Sequence, residues 1–138
     1  MHILSIIKLP AKLENLYKFM DVVSHRAKEQ GFTQKRISDI ELAMEEALVN
    51  IFNYAYHDNI GDVEVACSTD NDLFIVDIID SGIPFNLLSY KDPDLISDIS
   101  ERKIGGLGVF LMKKLMDDVQ YRRENDKNLL RFVVHRNK

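Results

Sequence analysis

Glu46 and Asn50 are the first pair of residues whose types and spacing could carry out chemistry. A spacing of four puts both side chains on one face of a helix, and that face continues to Asn53 and His57, off the predicted apolar stripe. A carboxylate that accepts a proton beside an amide oxygen that binds Mg²⁺ suits phosphoryl transfer, in which positioning and charge neutralisation dominate. The alternative is a solvated helix face.

A second candidate segment, Asp80-Ser81-Gly82-Ile83-Pro84-Phe85, follows an apolar run that is typical of a buried strand. An aspartate at such a strand end can accept a hydrogen bond from an exocyclic amino group such as that of adenine, which would select ATP over GTP. Gly82 has no Cβ, so a ligand can approach the backbone closely there. The alternative is an ordinary strand-ending turn, because Asp, Ser, Gly and Pro all favour turns.

Three of the six glycines lie in a third candidate segment, Gly105-Gly106-Leu107-Gly108, at the predicted start of a helix. Backbone N–H groups at a helix N-terminus are open to an anion, and the helix dipole favours a phosphate there. No Gly-Lys-Ser/Thr follows, so the segment is not a P-loop, and Leu111 stands where a dinucleotide fingerprint needs its last glycine. The alternative is loop flexibility alone.

The periodicity of apolar residues predicts the elements that hold these segments. Apolar residues three and four apart predict helices, and alternating or continuous apolar runs predict strands. The helices are predicted over 13–30, 33–57 and 105–118, and the strands over 2–9, 62–68, 73–79, 119–123 and 129–135. Residues 81–104 contain two prolines and no periodic run, which is typical of a functional loop.

This order, β-α-α-β-β-loop-α-β-β, predicts an α+β fold. We expect a two-layer sandwich in which a mostly antiparallel mixed sheet is covered by helices on one face, with the strand over 73–79 at its centre. Gly31 is predicted to end the first helix and Thr33 to cap the second. The predicted core stripes are Leu13, Leu16, Tyr17, Met20, Val23 and Ala27 in the first helix, and Ile37, Ile40, Met44, Ala47, Leu48, Ile51 and Ala55 in the second.

Length, charge and cysteine content limit the function classes. A chain of 138 residues with a formal net charge of −4 suffices for one domain and lacks the clustered positive charge that nucleic acids require. The single cysteine, Cys67, excludes an intramolecular disulfide and a Cys-x-x-Cys motif. The sequence contains no export signal and no membrane-spanning run, so we expect a cytoplasmic protein with neither a membrane nor a nucleic-acid partner.

Taken together, the three segments resemble the N, G1 and G2 boxes of the Bergerat ATP-binding fold, the histidine-kinase-like (GHKL) ATPase superfamily. The resemblance rests on their order: a Glu-x-x-x-Asn helix, an Asp-x-Gly strand end, a long loop and a glycine-rich helix start. Within that superfamily the chain is similar to the small stand-alone bacterial anti-sigma-factor serine protein kinases, especially in the run ERKIGGLGVFLMKKLMDDVQYRRENDKNLLRFVVHR.

The resemblance implies a role for each matching residue. Glu46 would be the general base that takes a proton from a serine hydroxyl or water, and Asn50 would bind the Mg²⁺ that bridges the ATP phosphates. Histidine kinases usually have Asn at the position of Glu46, so the glutamate points to serine phosphorylation or hydrolysis. Residues 86–104 would form the ATP lid. The residues implied to bind ATP are Asn50, Asn53, Asp80, Gly82, Phe85, Arg102, Gly105, Gly106, Leu107 and Gly108.

Two positions depart from the family pattern. Asn53 lies where many relatives have a basic residue that contacts phosphate, so that contact would either be weaker or be supplied by Arg102 or Lys103 in the lid. Pro84 replaces the second glycine of the G1 box. The resemblance also implies a homodimer, a STAS-type anti-anti-sigma protein as partner and substrate, and a sigma factor as a further partner.

Three functions are compatible with these residues. The first is an ATP-dependent serine/threonine protein kinase that acts as an anti-sigma factor in a partner-switching pathway. The second is a nucleotide-dependent switch of the same fold that regulates a partner without efficient phosphotransfer. The third is an adaptor in which the glycines and carboxylates are structural. ATP binding separates the first two from the third, and phosphotransfer separates the first from the second.

Overall fold

A five-stranded sheet forms one layer of the protein, and α-helices form the other. The computed structural model describes residues 1–56, 60–89 and 106–136. Within these ranges, no helix is long and apolar enough to cross a membrane. One-turn 3₁₀ helices lie at Leu13–Asn15 and Leu87–Ser89. The longer elements are β1 (His2–Pro10), α1 (Leu16–Glu29), α2 (Gln34–Tyr54), β2 (Asp62–Asp70), β3 (Leu73–Asp80), α3 (Gly106–Leu115), β4 (Asp118–Glu124) and β5 (Lys127–His135).

The strand order β1-β2-β3-β5-β4 puts β3 at the centre of the sheet, as its apolar sequence predicts. All four pairings between the described strands are antiparallel, so the mixed character expected of the sheet is not seen in this part of the chain. At the end of β3, Asp80 is in register with Val63 of β2 and Asn128 of β5. The second candidate segment therefore begins between two neighbouring strands.

The core lies between the sheet and the helices. In β2, Val63, Val65 and Cys67 are fully buried, as the period of two predicts. Burial raises the pKa of the Cys67 thiol to about 11, which keeps it protonated and unreactive. The predicted stripe of the second helix is confirmed, because every member of it is buried: Ile37, Ile40, Met44, Ala47, Leu48, Ile51 and Ala55.

The predicted stripe of the first helix is partly wrong. Leu13 and Tyr17 are each 67% exposed, whereas Phe19, which the pattern omits, is fully buried. Leu13 belongs to the 3₁₀ turn before α1. Tyr17 is rotated by about 100° from the buried Leu16, because a helix has 3.6 residues per turn. Phe19 follows Leu16 by three residues and therefore shares its face.

The predicted caps of α1 and α2 are confirmed. Gly31 has a φ of +89°, and its N–H and that of Phe32 donate back to the carbonyls of Lys28 and Ala27 at 3.0 and 3.3 Å, which is a Schellman motif. The Thr33 hydroxyl oxygen accepts a hydrogen bond at 3.2 Å from the N–H three residues later. These caps end α1 and begin α2 within a few residues of each other.

The C-terminus of α3 is held by an arginine of α2. This helix ends at Leu115, before the predicted end near 118, because β4 already begins there. The Nη1 group of Arg36 donates a hydrogen bond to the Leu115 carbonyl oxygen, and Nη2 donates one to the Asp117 carboxylate at 3.2 Å. The last carbonyls of a helix have no hydrogen-bond partner within the helix, and the guanidinium supplies one of them with a donor. Its positive charge also interacts favourably with the negative end of the helix dipole.

We expect Arg36→Ala to lower the free energy of unfolding by about 1.5–3 kcal/mol, because hydrogen bonds that involve a charged group contribute in that range. Urea denaturation followed by circular dichroism measures the change. Arg122→Ala is the control: Arg122 makes an exposed ion pair with Glu124, and such pairs contribute less than about 1 kcal/mol. Equal losses in the two variants would contradict the capping role of Arg36.

Candidate active site

Glu46 lies on α2 where the first turn of α3 packs against it. Its side chain is half-buried, and a Cβ on Gly108 would fall 2.3 Å from its Oε2, so the glycine permits this approach. Burial raises the pKa of Glu46, and the neighbouring charge of Glu45 raises it further. The carboxylate is therefore a stronger base than an exposed glutamate.

Asn50 is buried one helical turn after Glu46. It is 5% exposed, so the prediction that it lies off the buried stripe is wrong. The reason is local: its Nδ2 donates to the Glu46 carbonyl oxygen at 2.7 Å, which satisfies the amide donor inside the protein. Because Nδ2 makes this bond, Oδ1 is the atom left to bind a cation.

A Mg²⁺ ion beside Asn50 would depend on the nucleotide for most of its ligands. In the described ranges, no group of three or more His, Cys, Asp or Glu side chains could hold a metal ion. Mg²⁺ commonly takes one or two protein oxygens and completes its shell with phosphates and waters. The Oδ1 of Asn50 fits that pattern as a single protein ligand.

The start of α3 coincides with the predicted phosphate-binding glycines. Gly106, Leu107 and Gly108 are its first three residues, and Gly108 packs on Glu46, so the helix N-terminus and this carboxylate share one site. Asn53 is exposed near the end of α2. The part of the predicted lid beyond residue 89 lies outside the described residues, and so do Arg102, Lys103, Gly105 and His57.

Asp80 ends β3 as a buried carboxylate. It is 3% exposed, and its Oδ1 accepts hydrogen bonds of 2.9 Å from the Gly82 N–H and of 2.9 Å from Asn128 Nδ2. Burial raises the pKa of Asp80, whereas these two bonds and the charge of Arg123 lower it. A carboxylate with these partners is suited to recognising one further hydrogen-bond donor, such as the amino group of adenine.

Gly82 joins the end of β3 to the end of α2. A Cβ on Gly82 would fall 2.1 Å from the carbonyl oxygen of Ala55, which accepts the Ile83 N–H at 2.9 Å. Arg123 of β4 donates to the Gly82 carbonyl at 2.8 Å. The missing side chain thus makes room for the helix end, where the sequence predicts room for a ligand. This contact holds Asp80 beside the helix that carries the candidate base.

Phe85 is half-buried and packs within the protein. Its ring centroid lies 5.9 Å from that of Tyr54 at an interplanar angle of 56°, and its N–H donates to Asn128 Oδ1 at 3.2 Å. These contacts fix the loop that follows Asp80. The contact between Phe85 and ATP that the resemblance implies stays a prediction.

Asn128 is a residue of this site that the sequence pattern misses. It is 3% exposed and bonds Asp80 across the β3–β5 register. The last strand is predicted to start at 129, whereas β5 starts at Lys127, so Asn128 lies outside every predicted element. Its one signal is alternation: Asn128 precedes the buried Leu130 and Phe132 on the same face, where a polar side chain needs a buried partner.

The chain is similar to proteins of known family over most of its length. The sequence profile of the histidine kinase-like ATPase domain matches residues 9–134. The chain is 29% identical over 127 residues to a serine-protein kinase RsbW of Bacillus cereus (strain Q1) and 27% identical over 127 residues to that of Bacillus mycoides (strain KBAB4). Each match covers 89% of this chain and 79% of the relative.

A solved structure has the same fold. The crystal structure of the RsbU and RsbW domains of Rv1364c from Mycobacterium tuberculosis matches with a TM-score of 0.65 and 14% sequence identity. The match covers 96% of this chain and 32% of that chain. The predicted α+β sandwich and the resemblance to the superfamily are thereby confirmed. Since the family profile spans every candidate residue from Glu46 to Asn128, the chain belongs to the histidine kinase-like ATPase domain family.

Proposed function

We propose that this protein is an ATP-dependent serine/threonine protein kinase that acts as an anti-sigma factor by phosphorylating a STAS-type anti-anti-sigma protein. The observation that carries this proposal is Glu46, a half-buried carboxylate packed against the first turn of the glycine helix. A serine hydroxyl needs a base when it attacks a phosphate. Relatives at 27% and 29% identity are named serine-protein kinases.

In the proposed reaction, the serine oxygen attacks the γ-phosphorus of ATP, its proton passes to the Glu46 carboxylate, and ADP leaves. Asp80 accepts a hydrogen bond from the adenine amino group, and the N–H groups at the start of α3 bind phosphate. Mg²⁺ on Asn50 Oδ1 would neutralise phosphate charge. The other residues proposed to line the nucleotide are Asn53, Gly82, Phe85, Arg102, Gly105, Gly106, Leu107 and Gly108.

Transfer of labelled phosphate from ATP to the STAS protein encoded nearest the gene tests this function. The expected result is one labelled serine or threonine on that protein, dependent on added Mg²⁺. A protein that binds ATP but never labels this partner would overturn the kinase activity.

A nucleotide-dependent switch without efficient phosphotransfer is the second candidate function. Asn53 favours it, because this exposed amide stands where many relatives have a basic residue that contacts phosphate. In that case ATP binds and changes the affinity for the partner, while the phosphotransfer assay stays negative. Binding of the partner with and without ATP therefore separates the two functions.

Asp80→Asn is expected to weaken ATP binding by about 10- to 100-fold, because a hydrogen bond to a charged group contributes about 1.5–3 kcal/mol. A thermal shift shows the loss: ATP at 100 times its Kd should stabilise the unmodified protein by about 2.7 kcal/mol. The control is Asp70→Asn, at the exposed end of β2, which should keep the full shift. An unchanged shift in Asp80→Asn would contradict adenine binding at Asp80.

We also propose that the protein is a cytoplasmic homodimer and that it binds a sigma factor. Two exposed apolar side chains support a dimer. Ile3 and Ile6 are 59% and 55% exposed on β1, which lies at the edge of the sheet. Clustered exposed apolar side chains commonly mark protein interfaces. Sedimentation equilibrium measures the mass in solution, and the mass of one chain would contradict the dimer.

A further inference from the structure

Every donor and acceptor of the Asn128 side chain is hydrogen-bonded to a residue at or beside the candidate adenine site. Its Nδ2 donates to Asp80 Oδ1 at 2.9 Å and to the Ile83 carbonyl at 2.8 Å. Its Oδ1 accepts from the Phe85 N–H at 3.2 Å and from the Tyr121 hydroxyl at 2.5 Å. An amide side chain has two donors and two acceptor lone pairs. One buried residue thus ties Asp80 to the loop that follows it and to the β4–β5 hairpin.

The hydrogen bonds that Asp80 accepts determine which of its two carboxylate oxygens is available to a ligand. Both donors from the described chain, the Gly82 N–H and Asn128 Nδ2, bond Oδ1. The carboxylate cannot rotate about its Cβ–Cγ bond without breaking both hydrogen bonds, so Oδ2 is the oxygen presented to a ligand. Without Asn128, only the Gly82 N–H holds Oδ1, so the orientation of the carboxylate is less tightly fixed.

We propose that Asn128 is a positioning residue for adenine recognition, which holds Oδ1 of Asp80 so that Oδ2 accepts the hydrogen bond from the exocyclic amino group. This inference rests on the proposed binding of ATP at Asp80. Asn128 acts through Asp80 and has no contact of its own with the nucleotide. Its loss should therefore weaken the binding of nucleotides that carry the amino group more than the binding of those that lack it.

The electrostatics of Asp80 agree with this role. Burial raises the pKa of this carboxyl, and the hydrogen bond from Asn128 is the largest of the effects that lower it, ahead of the Gly82 N–H and the charge of Arg123. A donor to this carboxyl favours its ionised form, and the ionised form is a better hydrogen-bond acceptor for adenine than the protonated form. The same bond thus orients the acceptor and opposes the rise in its pKa.

A thermodynamic cycle with two nucleotides tests the inference. Asn128→Leu removes all four hydrogen bonds at similar size, and purine riboside triphosphate is the analogue of ATP without the 6-amino group. We expect the Kd of ATP to rise at least about 10-fold and that of the analogue less than about threefold. Asn128→Leu and removal of the 6-amino group both affect the same hydrogen bond to Asp80, so their effects on binding are not additive. Isothermal titration calorimetry measures both affinities.

Tyr121→Phe is the second variant, in case Asn128→Leu does not fold. It removes only the hydroxyl that donates to Asn128 Oδ1, so the same selective loss is expected at smaller size. Arg122→Ala, on an exposed residue of the same hairpin, is the control and should bind both nucleotides normally.

The outcomes separate this inference from the proposed function. Equal losses for ATP and the analogue would make Asn128 a purely structural residue and overturn the inference. Unchanged affinities in both variants of a protein that binds ATP would also overturn it. Failure of the unmodified protein to bind ATP would instead refute the proposed function.

Discussion

Glu46→Gln is expected to reduce phosphate transfer to a serine substrate by about 100-fold or more, which is the usual contribution of a general base. Glutamine has the same size and can still form hydrogen bonds, but it cannot accept a proton at neutral pH. ATP binding should change less than about twofold, because the proposed adenine contact is made by Asp80 on another element. Single-turnover transfer to the STAS partner and calorimetric titration with ATP measure the two quantities.

The pH dependence of phosphotransfer tests the same residue independently. Burial, and then the charge of Glu45, raise the pKa of Glu46 above its ordinary value of 4.5. A base acts only when it is deprotonated, so kcat/KM should fall as the pH drops through this raised pKa. The fall should begin at a higher pH than an exposed glutamate would give.

Glu45→Gln is the matched control for Glu46→Gln. The neighbouring substitution removes one cause of the raised pKa, so phosphotransfer should persist while the acid limb of the pH profile moves to lower pH. Wild-type activity in Glu46→Gln would rule out Glu46 as the base. An unshifted acid limb in Glu45→Gln would show that another group titrates.

Features that depend on neighbours along the chain were predictable from the sequence. Thr33 caps α2, and Gly31 ends α1, because a cap is formed by residues within one turn. The apolar periods also identify the central strand and the core stripe of α2. These local rules place Glu46 and the glycine segment on helices, as the structure has them, but the candidate site itself was predicted from the order of the motifs and the family resemblance.

Features that depend on contacts between distant elements were not predictable in this way. The four bonds of Asn128 arise from the β3–β5 register and from the loop after Asp80, and neither is visible in the spacing of residues. Asn50 is polar, so periodicity puts it outside the core, yet its bond to a backbone carbonyl permits burial. The close neighbour of Gly82 is Ala55, 27 residues earlier in the chain.

Gly82→Ala is expected to lower the free energy of unfolding by about 2–3 kcal/mol, at the upper end for an added methyl group in a packed region. The new Cβ would lie 2.1 Å from the Ala55 carbonyl oxygen and 2.7 Å from its carbon. These are backbone atoms at the end of α2, so no side-chain rotation relieves the clash. Either the helix end or the loop must move, and Asp80 moves with the loop because its Oδ1 accepts the Gly82 N–H.

Gly31→Ala is the matched control for Gly82→Ala, because it separates steric clash from backbone strain. A Cβ on Gly31 would meet no atom within 4 Å, but its φ of +89° disfavours any side chain, so a loss of about 1 kcal/mol is expected. ATP affinity should fall in Gly82→Ala and stay unchanged in Gly31→Ala, which lies at the end of α1 away from Asp80. If Gly82→Ala melts and binds ATP like the unmodified protein, the contact between α2 and this loop does not position the adenine site.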